Sequence, residues 1–205
     1  MVLPGSDSAP DVVKILISGG FGVGKTTMVG SVSEITPLRT EEVLTTPSVS
    51  VDDLVGVERK TTTTVALDFG RITLNTDLVL YLFGTPGQQR FWFMWNDLAV
   101  GALGGVVLVD TRRLETSFAA IDFFEKRDIP FVVAVNCFGG RQPYPAEQIR
   151  RALSLRPDAH LCMFDARDRS SCRDVLIALI DHAITAATLA ARSGSAESVR
   201  SDKTV

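Results

Sequence analysis

Gly19-Gly20-Phe21-Gly22-Val23-Gly24-Lys25-Thr26 follows at once on the apolar run Val12-Val13-Lys14-Ile15-Leu16-Ile17 and precedes a helical pattern over residues 27–35. Spaced as G-x-x-x-x-G-K-[ST] between a strand and a helix, these eight residues read as a phosphate-binding loop. Glycine-rich backbone at Gly20, Gly22 and Gly24 turns N–H groups, those of Phe21 and Val23 included, inward around the diphosphate of a nucleotide. Lys25 then reaches the outer phosphates and the Thr26 hydroxyl is placed to ligate Mg²⁺. The helix that opens at Thr26 or Thr27 adds its positive end to the same anion. The plainer alternative is an ordinary glycine-rich strand-to-helix turn.

Outward from this loop, apolar runs at residues 12–18, 64–68, 78–83, 105–109, 131–136 and 160–164 read as strands, and the patterns at 27–35, 114–127, 146–153 and 171–191 as helices. Such alternation implies an α/β domain of three layers, a largely parallel sheet covered by helices on both faces. The runs at 64–68 and 78–83 are too close for a crossover helix, so they are expected to pair antiparallel. The result is a six-stranded, mostly parallel sheet with one antiparallel edge strand. Residues 36–63 are long, polar and weakly periodic, a texture that marks a functional or mobile segment inside a compact domain.

At 205 residues the chain suffices for one well-buried domain, and 45% hydrophobic with 22% charged residues is the composition of a soluble globular protein. A net charge of -3 excludes bulk attraction to nucleic acid or acidic lipid. Cys137, Cys162 and Cys172 are odd in number and lack paired metal-ligand spacing, so they read as reduced thiols of a cytoplasmic protein. The chain shows no run of about 18 apolar residues, no secretion signal and no lipidation motif. Membrane recruitment is therefore expected only through a partner. Residues 1–10 and 192–205, rich in Pro, Gly and Ser, are expected to be a disordered leader and tail around a domain of residues 11–191.

Gly84-Thr85-Pro86-Gly87-Gln88-Gln89-Arg90-Phe91, at the end of the third strand, resembles the D-x-x-G-Q switch of the Ras superfamily. The resemblance implies a Ras-like P-loop fold, with GTP/GDP and Mg²⁺ as cofactors. It gives Gly87 the role of sensing the γ-phosphate through its N–H, and Gln88 that of orienting the attacking water. Gly84 stands where the family has an Mg²⁺-holding Asp. In the run Thr61 to Thr64, Thr64 is the expected switch threonine closing over Mg²⁺ and the γ-phosphate, with Thr63 second; both are otherwise strand-start residues. Arg59 and Lys60 read either as an internal charge donor to the phosphates or as a solvated turn. The Thr-Pro-Gly-Gln form without the Asp, together with Thr63-Thr64-Val65-Ala66-Leu67-Asp68-Phe69-Gly70, is similar to the prokaryotic gliding-motility polarity GTPases, and closest to the GTP-binding proteins of actinobacterial conservon operons. That likeness covers about residues 11–190 and implies a Roadblock/LC7-type partner and a sensor-kinase-like protein.

The family's base-reading Asn-Lys-x-Asp is here Asn136-Cys137-Phe138-Gly139, so only Asn136 is kept. Losing a carboxylate that takes two charge-assisted hydrogen bonds, each ~1.5–3 kcal/mol, weakens guanine binding by roughly two to four powers of ten. Phe138 either stacks on the base or anchors its loop. Asp165-Ala166-Arg167 stands where the family has Ser-Ala-Lys. There the Ala166 N–H is the expected donor to guanine O6, and Asp165 is either a base contact or a turn cap. Phe91-Trp92-Phe93-Met94-Trp95 cannot all face one core, since a helix turns ~100° per residue, so some of these side chains are left for a partner. Two readings follow: a slow GTPase switch, or a pseudo-GTPase scaffold with relaxed or lost nucleotide specificity. An ATP-dependent small-molecule kinase is disfavoured, because no arginine-rich lid appears between the strands.

Overall fold

A computed structural model describes residues 9–45, 62–140 and 142–201. The chain runs through β1 (Asp11–Gly19), α1 (Lys25–Val32), β2 (Leu38–Thr45), β3 (Thr62–Asn75), β4 (Leu78–Gly84) and α2 (Trp95–Ala99). It continues through β5 (Ala102–Val109), α3 (Phe118–Glu125), β6 (Phe131–Asn136), α4 (Ala146–Ala152), β7 (His160–Phe164) and α5 (Arg169–Ser201). Short 3₁₀ turns at Gln89–Met94 and Leu114–Thr116 precede α2 and α3.

The seven strands form one sheet in the order β2-β3-β4-β1-β5-β6-β7. All six expected strands are present, and β3 runs antiparallel to β4 as read from the short connection. A seventh, β2, lies outside β3 and pairs antiparallel with it, so the antiparallel strand is not the edge. β2 falls in the segment whose polar, weakly periodic sequence gave no strand signal, because Leu38–Thr45 is mostly polar and lacks the alternation by which a half-buried strand is recognised. β3 also continues to Asn75, and the turn to β4 is far tighter than the apolar pattern implied. α5 runs on to Ser201, into the polar segment beyond residue 192. Arg59, Lys60 and Thr61 lie outside the described residues, as do the leader residues 1–8.

β1 sits at the centre between β4 and β5, parallel to both. Its residues feed two cores in alternation. Ile15 and Ile17 point to a layer closed by α1 and α5, with Met28, Val29, Cys172, Val175 and Leu179. Leu16 points to the opposite layer, with Trp95, Ile121, Phe124 and Ile149. Burial on both faces is why the run from Ile15 to Ile17 is uninterrupted. By length and composition Arg169–Arg192 would suffice to cross a membrane, but Val175, Leu176, Leu179 and Ala183 pack into the core.

Gly105 on β5 lies under the ring of Phe124, which would stand 2.2 Å from an added Cβ. Gly105→Ala is therefore expected to destabilise the fold by about 1–3 kcal/mol in urea unfolding, from overpacking. Adding Phe124→Leu should recover part of that loss, since the two sites are in contact.

Candidate functional site

The carboxyl ends of the parallel strands carry the loops that the sequence singled out. After β1 the chain needs positive φ at Gly22 (75°) and Gly24 (111°), which only glycine takes without strain. An added Cβ at Gly24 would also lie 2.7 Å from the Asn136 amide. α1 then starts at Lys25 with no side-chain cap at its first turn, so its leading N–H groups face the loop's interior.

Lys25 is buried, and its Nζ donates to the Gly19 and Gly20 carbonyls at 2.9 and 2.8 Å. Burial pushes the ammonium down to about 8, and the Asp68 carboxylate opposes the shift. Facing it, Gly87 packs so closely on the phosphate loop that an added Cβ would stand 2.7 Å from Lys25 Nζ and 2.9 Å from the Phe21 N. The segment before it is fastened to β1 by Thr85 N–H to Ile17 O, 2.9 Å, and Thr85 Oγ1 to Ser18 Oγ, 3.0 Å. Trp95 Nε1 donates to Pro86 O at 3.1 Å. Gln88 is exposed at the rim. Together Phe21, Gly22, Gly24, Lys25, Thr26, Thr27, Gly87 and Gln88 line a cleft of about 360 Å³.

One residue of the cleft had no role assigned to it by the sequence pattern. Asp68 on β3 sits directly across the ladder from Gly84, and its Oδ2 accepts from Thr26 Oγ1 at 2.5 Å. An added Cβ at Gly84 would lie 3.0 Å from the Asp68 Cβ and 3.2 Å from its Oδ2. The missing side chain on β4 thus makes room for a carboxylate from the neighbouring strand. A hairpin turn centred on Thr76 would have revealed the pairing; the expected longer connection concealed it. Thr64 lies on β3 opposite Val43, and its side chain is outside the described residues.

At the other end, Asn136 ties the loops together. Its Nδ2 donates to Val23 O at 2.9 Å, and its Oδ1 accepts the Ala166 N–H at 3.2 Å. The Ala166 N–H, expected to serve guanine O6, is therefore engaged within the protein. Asp165 accepts from Arg167 Nε and Nη2 at 3.0 and 2.8 Å, and from the Arg167 N–H. Those hydrogen bonds hold its carboxyl well below the usual carboxylate range. A base edge must compete with Arg167 for it. Cys137 turns into the protein, its N–H bonded to Phe164 O and its thiol pushed up by burial. Phe138 is 43% exposed. Of the five aromatic-stretch residues, Phe91 and Trp95 are buried, Trp92 and Met94 half-buried, and Phe93 is 62% exposed.

Fold and cleft define a P-loop nucleotide-binding protein of the α/β class. More narrowly, the chain belongs to the family described as conserved hypothetical ATP binding protein, which matches residues 17–186. An uncharacterized protein of Methanocaldococcus jannaschii is 30% identical over 128 residues, 62% of this chain and 70% of that protein. Among solved structures, the cytosolic domain of the T. maritima FeoB iron transporter in a GDP form is similar at a TM-score of 0.57 and 12% identity. That match covers 86% of this chain, which spans only 65% of that domain's length. The FeoB G-domain from Methanococcus jannaschii gives a TM-score of 0.54 at 13% identity, covering 84% of this chain and 98% of that one. At such identities the likeness shows the fold, the mostly parallel G-domain sheet.

A phosphate settling on Lys25 supplies a charged partner and raises its pKa, so binding should take up protons near and above pH 8. Affinity is complete below the free-state value of about 8 and falls as pH rises through it, until the higher bound-state value is passed. Calorimetry with a nucleoside diphosphate at about pH 8.5, in two buffers of different ionisation enthalpy, should show fractional proton uptake. A flat profile across this window would contradict the assignment.

Proposed function

We propose that this protein is a small GTP-binding switch that hydrolyses GTP slowly to GDP. The observation that carries the reading is the convergence, in one cleft, of Lys25 and Thr26 from the phosphate loop, Gly87 and Gln88 from the loop after β4, and Asp68 from β3. Phosphoryl transfer asks a protein mainly for positioning and for charge neutralisation. Lys25 neutralises the outer phosphates. The Gly87 N–H marks the γ-phosphate, and Gln88 orients the water that attacks it. The guanine assignment rests on the resemblance of Gly87-Gln88, Asn136 and Ala166 to Ras-like proteins.

The Thr26 hydroxyl and the Asp68 carboxylate are hard oxygen donors suited to Mg²⁺. When bound, the ion neutralises charge developing on the phosphates. Thr26 would hold it directly, Asp68 through the position that the Ras family fills from β4, and Thr64 from β3. Hydrolysis would then release residues 84–97, changing the surface around the exposed Phe93; residues 46–61 of the segment 36–63 lie outside the described residues. From the likeness to conservon-type proteins, the partners would be a Roadblock/LC7-type protein and a sensor-kinase-like protein, met in the cytoplasm or at the membrane through those partners.

A scaffold without hydrolysis is the second reading, favoured by the Asp165 carboxylate being taken up by Arg167. Single-turnover hydrolysis of GTP separates the two. Gln88→Leu should slow it roughly 10²-fold, the cost of misplacing a reacting group; equal rates in wild type and variant would favour the scaffold. Asp68→Asn should raise the Mg²⁺ concentration needed for half-maximal nucleotide retention by about 10- to 100-fold, the usual effect of losing an outer-shell partner. An unchanged Mg²⁺ titration would remove Asp68 from the metal site.

A further inference from the structure

The turn after β5, Asp110-Thr111-Arg112-Arg113, is built against both ends of the nucleotide cleft, and no motif accounts for it. Asp110 is buried, and its two oxygens take Arg112 as a bidentate pair, Nε to Oδ1 at 2.8 Å and Nη2 to Oδ2 at 2.7 Å. Arg113 Nη2 lies 3.8 Å from the same carboxylate and donates to Phe21 O on the phosphate loop at 3.1 Å. Three residues on, the Thr116 side chain is packed so tightly on Gly20 that an added Cβ would meet it at 2.4 Å. Arg112 leans the other way, its guanidinium 4.1 Å above the ring of Phe138 in the loop after β6. One buried carboxylate therefore fixes two cations, one on the phosphate loop and one on the base-side loop.

Base recognition needs something here, because Cys137 and Gly139 replace the lysine and aspartate of the Ras-like motif, and the Ala166 N–H is already engaged. A nucleotide with phosphates on the loop after β1 extends across the strand ends toward the loops after β5, β6 and β7. There it meets Arg112, whose side chain is 65% exposed although one face lies on Phe138. A planar guanidinium held rigid by a bidentate carboxylate and backed by an aromatic ring is a stacking surface for a heterocycle.

Building on the phosphate-site reading, we infer that Arg112, pinned by Asp110 and backed by Phe138, is the platform on which the nucleobase stacks, so that this site holds purines by their faces rather than by their edges. Stacking is tolerant of base identity, since every base has a π-face. Arg113 braces the lip of the phosphate loop from the same turn.

The test uses the full chain with three probes: GDP, ADP and inorganic tripolyphosphate, which has no base. Arg112→Lys keeps the charge and loses the plane. It should weaken GDP and ADP together by about tenfold, with their ratio unchanged, and leave tripolyphosphate as in wild type. Retained tripolyphosphate binding also shows that the loop is still folded. The inference fails if GDP and ADP bind Arg112→Ala as tightly as wild type, if GDP alone is lost, or if tripolyphosphate falls in Arg112→Lys as far as GDP does. Lys25→Ala serves as the reference for the phosphate site: it should cost all three probes, and wild-type binding in that variant would overturn the underlying site rather than the platform.

Discussion

A buried ammonium group governs this structure. Lys25 gives up most of its hydration to sit beneath the phosphate loop, where two carbonyls of that same loop are its hydrogen-bond acceptors. Such a group is costly to bury; the Asp68 carboxylate offsets only part of that cost, and a polyphosphate would supply further negative charge. The arrangement is possible because β1 is packed on both faces and delivers the loop on a rigid strand end, and because the glycines take backbone angles closed to other residues. Gly87, packed against Lys25 and the Phe21 amide, ties the next loop to the same point. Lys25 and the segment that carries Gln88 and Phe93 are therefore in direct packing contact.

The site also shows how chemistry moves between strands while the fold stays put. Gly84 lacks the carboxylate of the Ras-like pattern, yet Asp68, its ladder partner, places one beside Thr26. Directly paired residues on neighbouring strands have Cβ atoms only about 4.5–5.5 Å apart, so a functional group can be exchanged across a pair with little displacement. The base-side loops show a comparable shift. Charged side chains there are satisfied mainly within the protein, Asp165 by Arg167 and Asp110 by Arg112. What they present outward is a set of planar groups and not a free carboxylate.

The likeness in fold to G-domains at 12–13% identity fits this picture. At that distance the sheet order and the loop positions are what is shared, and function has to be argued from the residues each chain places in those loops. The family description names ATP, while a structural neighbour carries GDP. A site that grips phosphates with fixed backbone and meets the base with stacked planes is compatible with either purine.

The strand–loop–helix unit around Lys25, the alternation of apolar runs and helices, and the antiparallel pairing of β3 with β4 were legible in the sequence. All three depend on local spacing: glycines at set offsets, a continuous apolar run for a strand buried on both faces, too few residues between two strands for a helix. Gly87 and Gln88 were singled out through their resemblance to the Ras-like switch pattern, not through spacing, and the fold packs Gly87 against the phosphate loop. Tertiary structure alone decided the rest. Edge strand β2, Leu-Arg-Thr-Glu-Glu-Val-Leu-Thr, has no alternating apolar pattern to announce it. Asp68 became a site residue only through the register of β3 on β4. The Ala166 N–H and the Asp165 carboxylate were available in the sequence and are engaged in the fold, by Asn136 and Arg167. Arg112 meets Phe138 from a different loop, 26 positions away in the chain. Sequence spacing determines what lies within one turn or one strand; which side chains share a cleft is set by strand order and pairing register, and those are properties of the whole sheet.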